Sequence, residues 1–440
     1  MPMSVFAIDP FRTEEAIVRG RLDVLADEFH CAKDKIEKPL SLTDIVDLAL
    51  CNNAQTRSVW ASARGQAAQV GVSTAAYLPT LSVSGSVSNN QIQTGNQAQL
   101  NSVNQNASLA ANYLLYDFGG RSASLENAKQ LLIAANASRD AILQGNFLVA
   151  VQAYYTLLSA RASVESFKAD ELKAQESLAA ALARYQAGVA TPVDRLQAQT
   201  TLSQAKLSRI KGEGDAANAQ GALANIMGFD ATQPYVLQPL EEVVPDQVIE
   251  QDIGKLISLA RIKRPDLAAA ESQIKAAEAQ LQATNAIGRP TITVGAMAGI
   301  SNPEIQSNSL GVTLNVPIFS GFKANYQSRV AEAQIEGKIA ERDRLANQIA
   351  LDVWKSYQGL LTNSQALRSA DDLVLAATQS EKMILGRYKA GVGNILDTLT
   401  AQSALANARQ QRVTAFYNFL TSRFALAQSM GQLDLSQLSN

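Results

Sequence analysis

The chain holds few residues that could do covalent chemistry. Its one histidine, His30, stands alone in a polar N-terminal stretch, and there is neither a Gly-x-Gly-x-x-Gly fingerprint nor a phosphate-loop signature. Its two cysteines, Cys31 and Cys51, lie twenty residues apart with none elsewhere, a pattern that points to one disulfide. Closing so short a loop would stabilise by roughly 3 kcal/mol and needs an oxidising compartment such as the periplasm. Carboxylates are the remaining reactive groups. Asp194 and Asp397 each follow an Ala-Gly-Val turn at the predicted start of a helix, where an acid interacts favourably with the helix dipole by ~0.3–1 kcal/mol. No catalytic residue, cofactor site or metal site is expected, and the chain reads as a non-enzyme.

Composition says what kind of scaffold holds these residues. Of 440 residues 47% are hydrophobic, but much of this is alanine spread among Gln, Asn and Ser, and aromatics make up only 6%, as in long packed helices with small contact residues. Lys plus Arg number 38 against 40 Asp plus Glu, so no basic excess exists to bind a nucleic acid backbone. No run approaches about 18 uninterrupted apolar residues, so contact with a bilayer would fall to strands. The first forty residues carry no secretory signal pattern, and Glu28-Phe29-His30 before Cys31 does not suit a lipid anchor.

The chain is duplicated. Arg184-Tyr185-Gln186-Ala187-Gly188-Val189 matches Arg387-Tyr388-Lys389-Ala390-Gly391-Val392 at an offset of 203, which also pairs Asp194 with Asp397 and Met227-Gly228 with Met430-Gly431. Upstream, Phe118-x-Gly120 matches Phe319-x-Gly321 at an offset of 201. The predicted organisation is an N-terminal extended segment, 1–40; a first repeat, 41–228; a linker, 229–249; a second repeat, 250–431; and a tail, 432–440.

Each repeat has the same order. A helix is predicted over 41–76 and 250–286, followed by a strand pair. Leu81, Val83, Gly85 and Val87 alternate with serines, and Leu109, Ala111, Tyr113 and Leu115 share a face. In the second repeat Ile292, Val294, Ala296, Ala298 and Ile300, then Leu310, Val312, Leu314 and Val316, do the same. One apolar and one polar face suits strands between lipid and water. Proline-free stretches, 119–190 and 320–394, then predict very long helices, about 95 Å at ~1.5 Å per residue. Gly188 and Gly391 suit helix ends, and Thr191-Pro192 and Asn394 suit the starts of return helices over 192–227 and 395–430. Exposed small residues at these tips, Ala187, Gly188, Val189, Ala390, Gly391 and Val392, would let another hairpin approach closely. Trp60 and Trp354 are expected in packed helix interfaces.

Four strands cannot close a barrel, and an open edge in lipid leaves backbone groups unsatisfied at several kcal/mol each. Three copies would supply twelve strands and a roomy lumen; two would give eight, whose interior side chains fill. A homotrimer is therefore expected, with lipid around the barrel.

The paired strand hairpins with their Phe-x-Gly turns, and the Tyr-x-Ala-Gly-Val tips followed by Asp and Leu, resemble the TolC-like outer-membrane efflux protein family over about residues 40–431. The resemblance implies a mainly α fold with a β-barrel section, trimeric, with a twelve-stranded outer-membrane barrel continued by an α-helical periplasmic tunnel. It implies a passive exit duct of a tripartite export system, for type I protein secretion or multidrug efflux, working with a periplasmic adaptor and an inner-membrane transporter. It further implies a periplasmic gate in which Asp194 and Tyr388 form a closing hydrogen bond and Asp397 an acidic constriction. Two positions depart from that pattern: Gly393 stands where an arginine is expected and Thr400 where a second aspartate is. The Cys31–Cys51 pair and Asp9-Pro10-Phe11 tilt the reading toward the protein-secretion branch. The alternative, a coiled-coil filament protein without a pore, would not explain strands recurring at the same point of both halves.

Overall fold

A computed structural model of the chain describes residues 9–17, 39–92, 100–239, 252–302 and 305–433. After a short 3-10 turn, the first half runs α1 (Leu42–Asn52), α2 (Ala54–Ala75), β1 (Thr80–Ile92), β2 (Leu100–Tyr116), α3 (Gly120–Gln186) and α4 (Pro192–Ile226). The second half repeats the order: α5 (Ile253–Lys263), α6 (Pro265–Ala286), β3 (Thr291–Ser301), β4 (Ile305–Asn315), α7 (Lys323–Lys389) and α8 (Ile395–Ser429).

The single helix expected at the start of each half is two. Asn53 is extended, φ −62° and ψ 132°, and separates α1 from α2. Arg264, φ −70° and ψ 122°, separates α5 from α6, because Pro265 next to it has no N–H to donate and disfavours helical geometry at the residue before it. The strand-to-helix junctions also differ from the motif alignment. The helices α3 and α7 each contain 67 residues and start 203 positions apart, so Phe118 and Gly119 correspond to Gly321 and Phe322. Both junctions place one Phe and one Gly in succession at positive φ, in opposite order, and the Phe-x-Gly match is two residues out of structural register.

Two compact units make up the chain. One is built around Trp60–Ser138 and Asp266–Leu345 and contains a four-stranded antiparallel sheet in the order β1-β2-β3-β4. Its register lines up Val83 with Leu109, Leu109 with Ala298, and Ala296 with Leu310, so the apolar faces predicted strand by strand form one surface. Ser84, Ser108, Gly299 and Ser307 line up on the other face, where the Ser84 and Ser108 hydroxyls are 2.8 Å apart. Leu115 does not join the apolar face by ladder pairing: a bulge skips it, and Tyr116 takes the place opposite Ile292. The apolar side chains are bare, with Val83 80% and Leu310 80% exposed, and among the described residues neither β1 nor β4 is paired along its outer edge. In α6, Ala269, Ser272, Ala276, Ala279, Ala283 and Ala286 are buried, a three-four alternation of small residues that lets helices approach closely.

The other unit is built around Arg139–Pro265 and Ala346–Asn440 and holds the main apolar core. Leu143, Phe147, Ala150, Tyr154 and Leu157 of α3 meet Ile45 and Val46 of α1, Leu223 and Met227, and Phe419 and Leu420 of α8. Each large apolar side chain buried there contributes about 1.5–3 kcal/mol. A stretch of α3 reaches a mean hydropathy of 1.2 and is long and apolar enough to cross a membrane by composition, although polar residues interrupt it and no uninterrupted apolar run forms; 44% of it is buried inside the protein. Trp354 is 48% exposed rather than packed, and Trp60 is half-buried.

Candidate functional site

The tips of the two long hairpins share one construction. At the end of α3, Gly188 (φ +73°) donates to the Tyr185 carbonyl and Val189 to that of Arg184; at the end of α7, Gly391 (φ +81°) donates to Tyr388 and Val392 to Arg387. This pattern closes a helix with glycine in the left-handed region and satisfies carbonyls that would otherwise lack partners. A Cβ on either glycine would meet nothing within 4 Å, and Ala187, Gly188, Val189, Ala390, Gly391 and Val392 are all exposed. The return helices then start on side-chain caps, reciprocal in the first repeat and one-way in the second. Thr191 accepts from the Asp194 N–H at 3.3 Å while Asp194 Oδ2 accepts from the Thr191 N–H at 2.8 Å. In the second repeat Asn394 accepts from the Leu396 N–H at 3.1 Å, leaving the exposed Asp397 carboxylate without a hydrogen bond or ion pair among the described residues.

Asp194 thus caps α4 within one chain, and its side chain makes no hydrogen bond to the Tyr388 phenol there. The two lie close enough to interact: burial raises the Tyr388 phenol above its ordinary value, Arg184 opposes that, and the Asp194 charge adds to it. Tyr388 is buried with Ile395 and Leu399.

The residue that holds Tyr388 was not among the sequence candidates. Arg184 comes from the other repeat, donates from Nη1 to the Tyr388 carbonyl oxygen at 3.1 Å, and sets its guanidinium 4.9 Å from the ring centroid. It thereby places a cation at the C-terminal end of α7, where the helix dipole favours one, and adds a cation–π contact. Gly393 is required beside it, because a Cβ there would lie 2.8 Å from the Tyr388 backbone nitrogen. An arginine at that position could not enter without shifting the turn. The signal for Arg184 was present in its recurrence as Arg387.

Further cross-repeat contacts run along α3. Lys173 pairs with Glu381 at 3.1 Å, Ser177 donates to Gln402 at 3.0 Å, Asp170 lies 3.6 Å from Arg409, and Gln410 donates to Ser163 at 2.9 Å. Burial raises the Asp170 carboxyl, with Arg409 and Lys173 opposing the shift. Cys51 in α1 is disulfide-bonded, while Cys31 lies outside the described residues. Among the described residues no group of His, Cys, Asp and Glu is arranged to hold a metal ion. The tips can hold two hairpin ends together through bonds that separate without covalent change, and they present bare small residues.

A family model described as outer membrane efflux protein matches residues 45–229 and 256–432. Protein CyaE of Bordetella pertussis is 29% identical over 411 residues, covering 91% of this chain and 85% of its own length. The outer membrane efflux protein BepC of Brucella suis is 23% identical, covering 90% and 87%. The CmeC outer membrane channel of Campylobacter jejuni has the same fold, with a TM-score of 0.79 at 17% identity and coverage of 93% and 94%.

Proposed function

The chain belongs to the outer membrane efflux protein family, and from that premise we propose that three copies assemble into a single duct whose periplasmic end is closed by the hairpin tips. The protein is an outer-membrane channel subunit, the passive exit duct of an export system that includes an inner-membrane transporter and a periplasmic adaptor. The sheet carries the trimer reading. Among the described residues its four strands have one apolar face, one face mostly of Ser, Asn, Thr and Gly with Ala110 and Met297 among them, and two unpaired edges, which suits twelve strands closed between lipid and water.

In this reading the two repeats, 41–228 and 250–431, alternate around the ring. Asp194 and Tyr388 belong to the closing contacts, and Asp397 forms the acidic constriction. The bare turns at Ala187–Val189 and Ala390–Val392 receive the adaptor. The bridge to Cys51 is assigned to Cys31, the one other cysteine of the sequence, which lies outside the described residues. A filament without a pore would have no use for a sheet with one apolar and one polar face.

Native mass of the protein extracted in mild detergent tests the assembly. Three chains per particle are expected; a particle of one chain would contradict the duct.

A further inference from the structure

We propose that the seam joining the two repeats inside one chain recurs between neighbouring copies, with Arg387 and Ser380 of one copy engaging Tyr185 and Gln199 of the partner subunit. The proposal rests on the ring assembly above and specifies how its second type of seam is made.

Numbering shows the equivalence. The bounds of α3 and α7, and of α4 and α8, differ by 203 at both ends, so each residue in one hairpin has a defined counterpart in the other. Inside the chain, Arg184 bonds the Tyr388 carbonyl and covers its ring, and Ser177 bonds Gln402. All four have an identical counterpart: Arg387 for Arg184, Tyr185 for Tyr388, Ser380 for Ser177 and Gln199 for Gln402. In a ring where the repeats alternate, repeat two of one copy faces repeat one of the next, and these are the residues that then meet.

Burial supplies an independent argument. Where the seam is made, Tyr388 is 6% and Leu399 5% exposed; their counterparts Tyr185 and Leu196 are 39% and 55% exposed. Ser177 is buried and Ser380 exposed. The same positions are thus covered on one hairpin and bare on the other, as expected when their cover comes from a second copy. The acceptor is also available. Tyr388 O receives both the Gly391 N–H and Arg184, whereas Tyr185 O receives the Gly188 N–H and has a second lone pair to offer. Among the described residues the exposed Arg387 side chain makes no hydrogen bond or ion pair.

The seams differ elsewhere. The Lys173–Glu381 pair has Ala376 and Leu178 as counterparts, so that ionic rung would become apolar between copies. Arg195 stands where Thr398 does and sits 5.5 Å from the Tyr185 ring centroid, so the ring has one cationic neighbour from its own chain before Arg387 arrives.

Crosslinking of the full chain in membranes tests the pairing. Ser380→Cys with Gln199→Cys, treated with a short bifunctional maleimide, is expected to give covalent dimers and trimers on denaturing gels. Ser177→Cys with Gln402→Cys is the control and is expected to stay at the mass of one chain. Single-chain bands from the Ser380/Gln199 variant, in protein whose native mass is three chains and whose control pair reacts, would overturn this seam and leave the trimer standing. A native mass of one chain would remove the ring and the seam with it.

Discussion

Among the described residues six glycines adopt positive φ, and four of them end the long helices for two different reasons. At the tips, Gly188 and Gly391 need only backbone freedom, since open space surrounds them. At the opposite ends of the hairpins, Gly228 (φ +81°) and Gly431 (φ +66°) also let two backbones approach: a Cβ would fall 2.9 Å from the Asn52 carbonyl carbon in one case and 2.9 Å from Arg264 Cα in the other. Gly228→Ala and Gly431→Ala should therefore each lower unfolding free energy by about 2–4 kcal/mol, adding overpacking to left-handed strain. Gly188→Ala and Gly391→Ala should cost about 1 kcal/mol. Denaturant titrations that gave one value for all four would refute the distinction. The sequence shows both pairs as repeats, yet only the fold shows that the second meets the breaks after α1 and α5. Tyrosines carry a second prediction. Burial raises Tyr155 and Tyr235 to about 12 and shifts Tyr154, Tyr388 and Tyr417 the same way. An unfolded tyrosine loses its proton near ~10, so above that pH the folded chain binds more protons than the unfolded one and stability falls as pH rises toward about 12. Phenolate absorbance of the folded protein should lag that of the denatured protein; coincident curves would contradict the burial.

Strands and helices differ in how plainly they can be read. Period-two alternation placed all four strands, and their apolar faces meet in register across the sheet. The bulge that skips Leu115 leaves no mark in the pattern, because Leu115 and Tyr116 both suit an apolar face. The helix lengths followed from the absence of proline, and Thr191-Pro192 and Asn394 marked the caps. The packing of the helices was hidden, since the seven-residue spacing in α6 is filled by Ala and Ser, which an apolar scan passes over. Pro265 was the available signal for the second helix break, while Asn53 gave none. If the apolar sheet face meets lipid, Leu310→Lys or Val312→Lys should each cost up to about 2–4 kcal/mol, and Ser309→Lys on the other face far less. The fraction recovered folded from the outer membrane reads this out. Equal losses for the two faces would show that neither is special.

At the scale of the whole molecule, the chain has almost balanced charge, while among the described residues its two repeats leave a sheet with free edges and a hairpin face with Tyr185 and Leu196 uncovered. These features have a common explanation in a closed ring around a passage. The passage was legible in the duplication and the strand faces; the Arg184 clasp was not, because contact between residues some two hundred positions apart depends on how the hairpins lie side by side. Single-channel conductance of the purified trimer in planar bilayers tests the passage most directly, recorded for the native chain and for Asp194→Ala and Asp397→Ala. The account predicts discrete, long-lived, cation-preferring steps, larger or more frequent in Asp194→Ala and with weaker cation preference in Asp397→Ala. Folded trimers that pass no current in any of the three forms would contradict it.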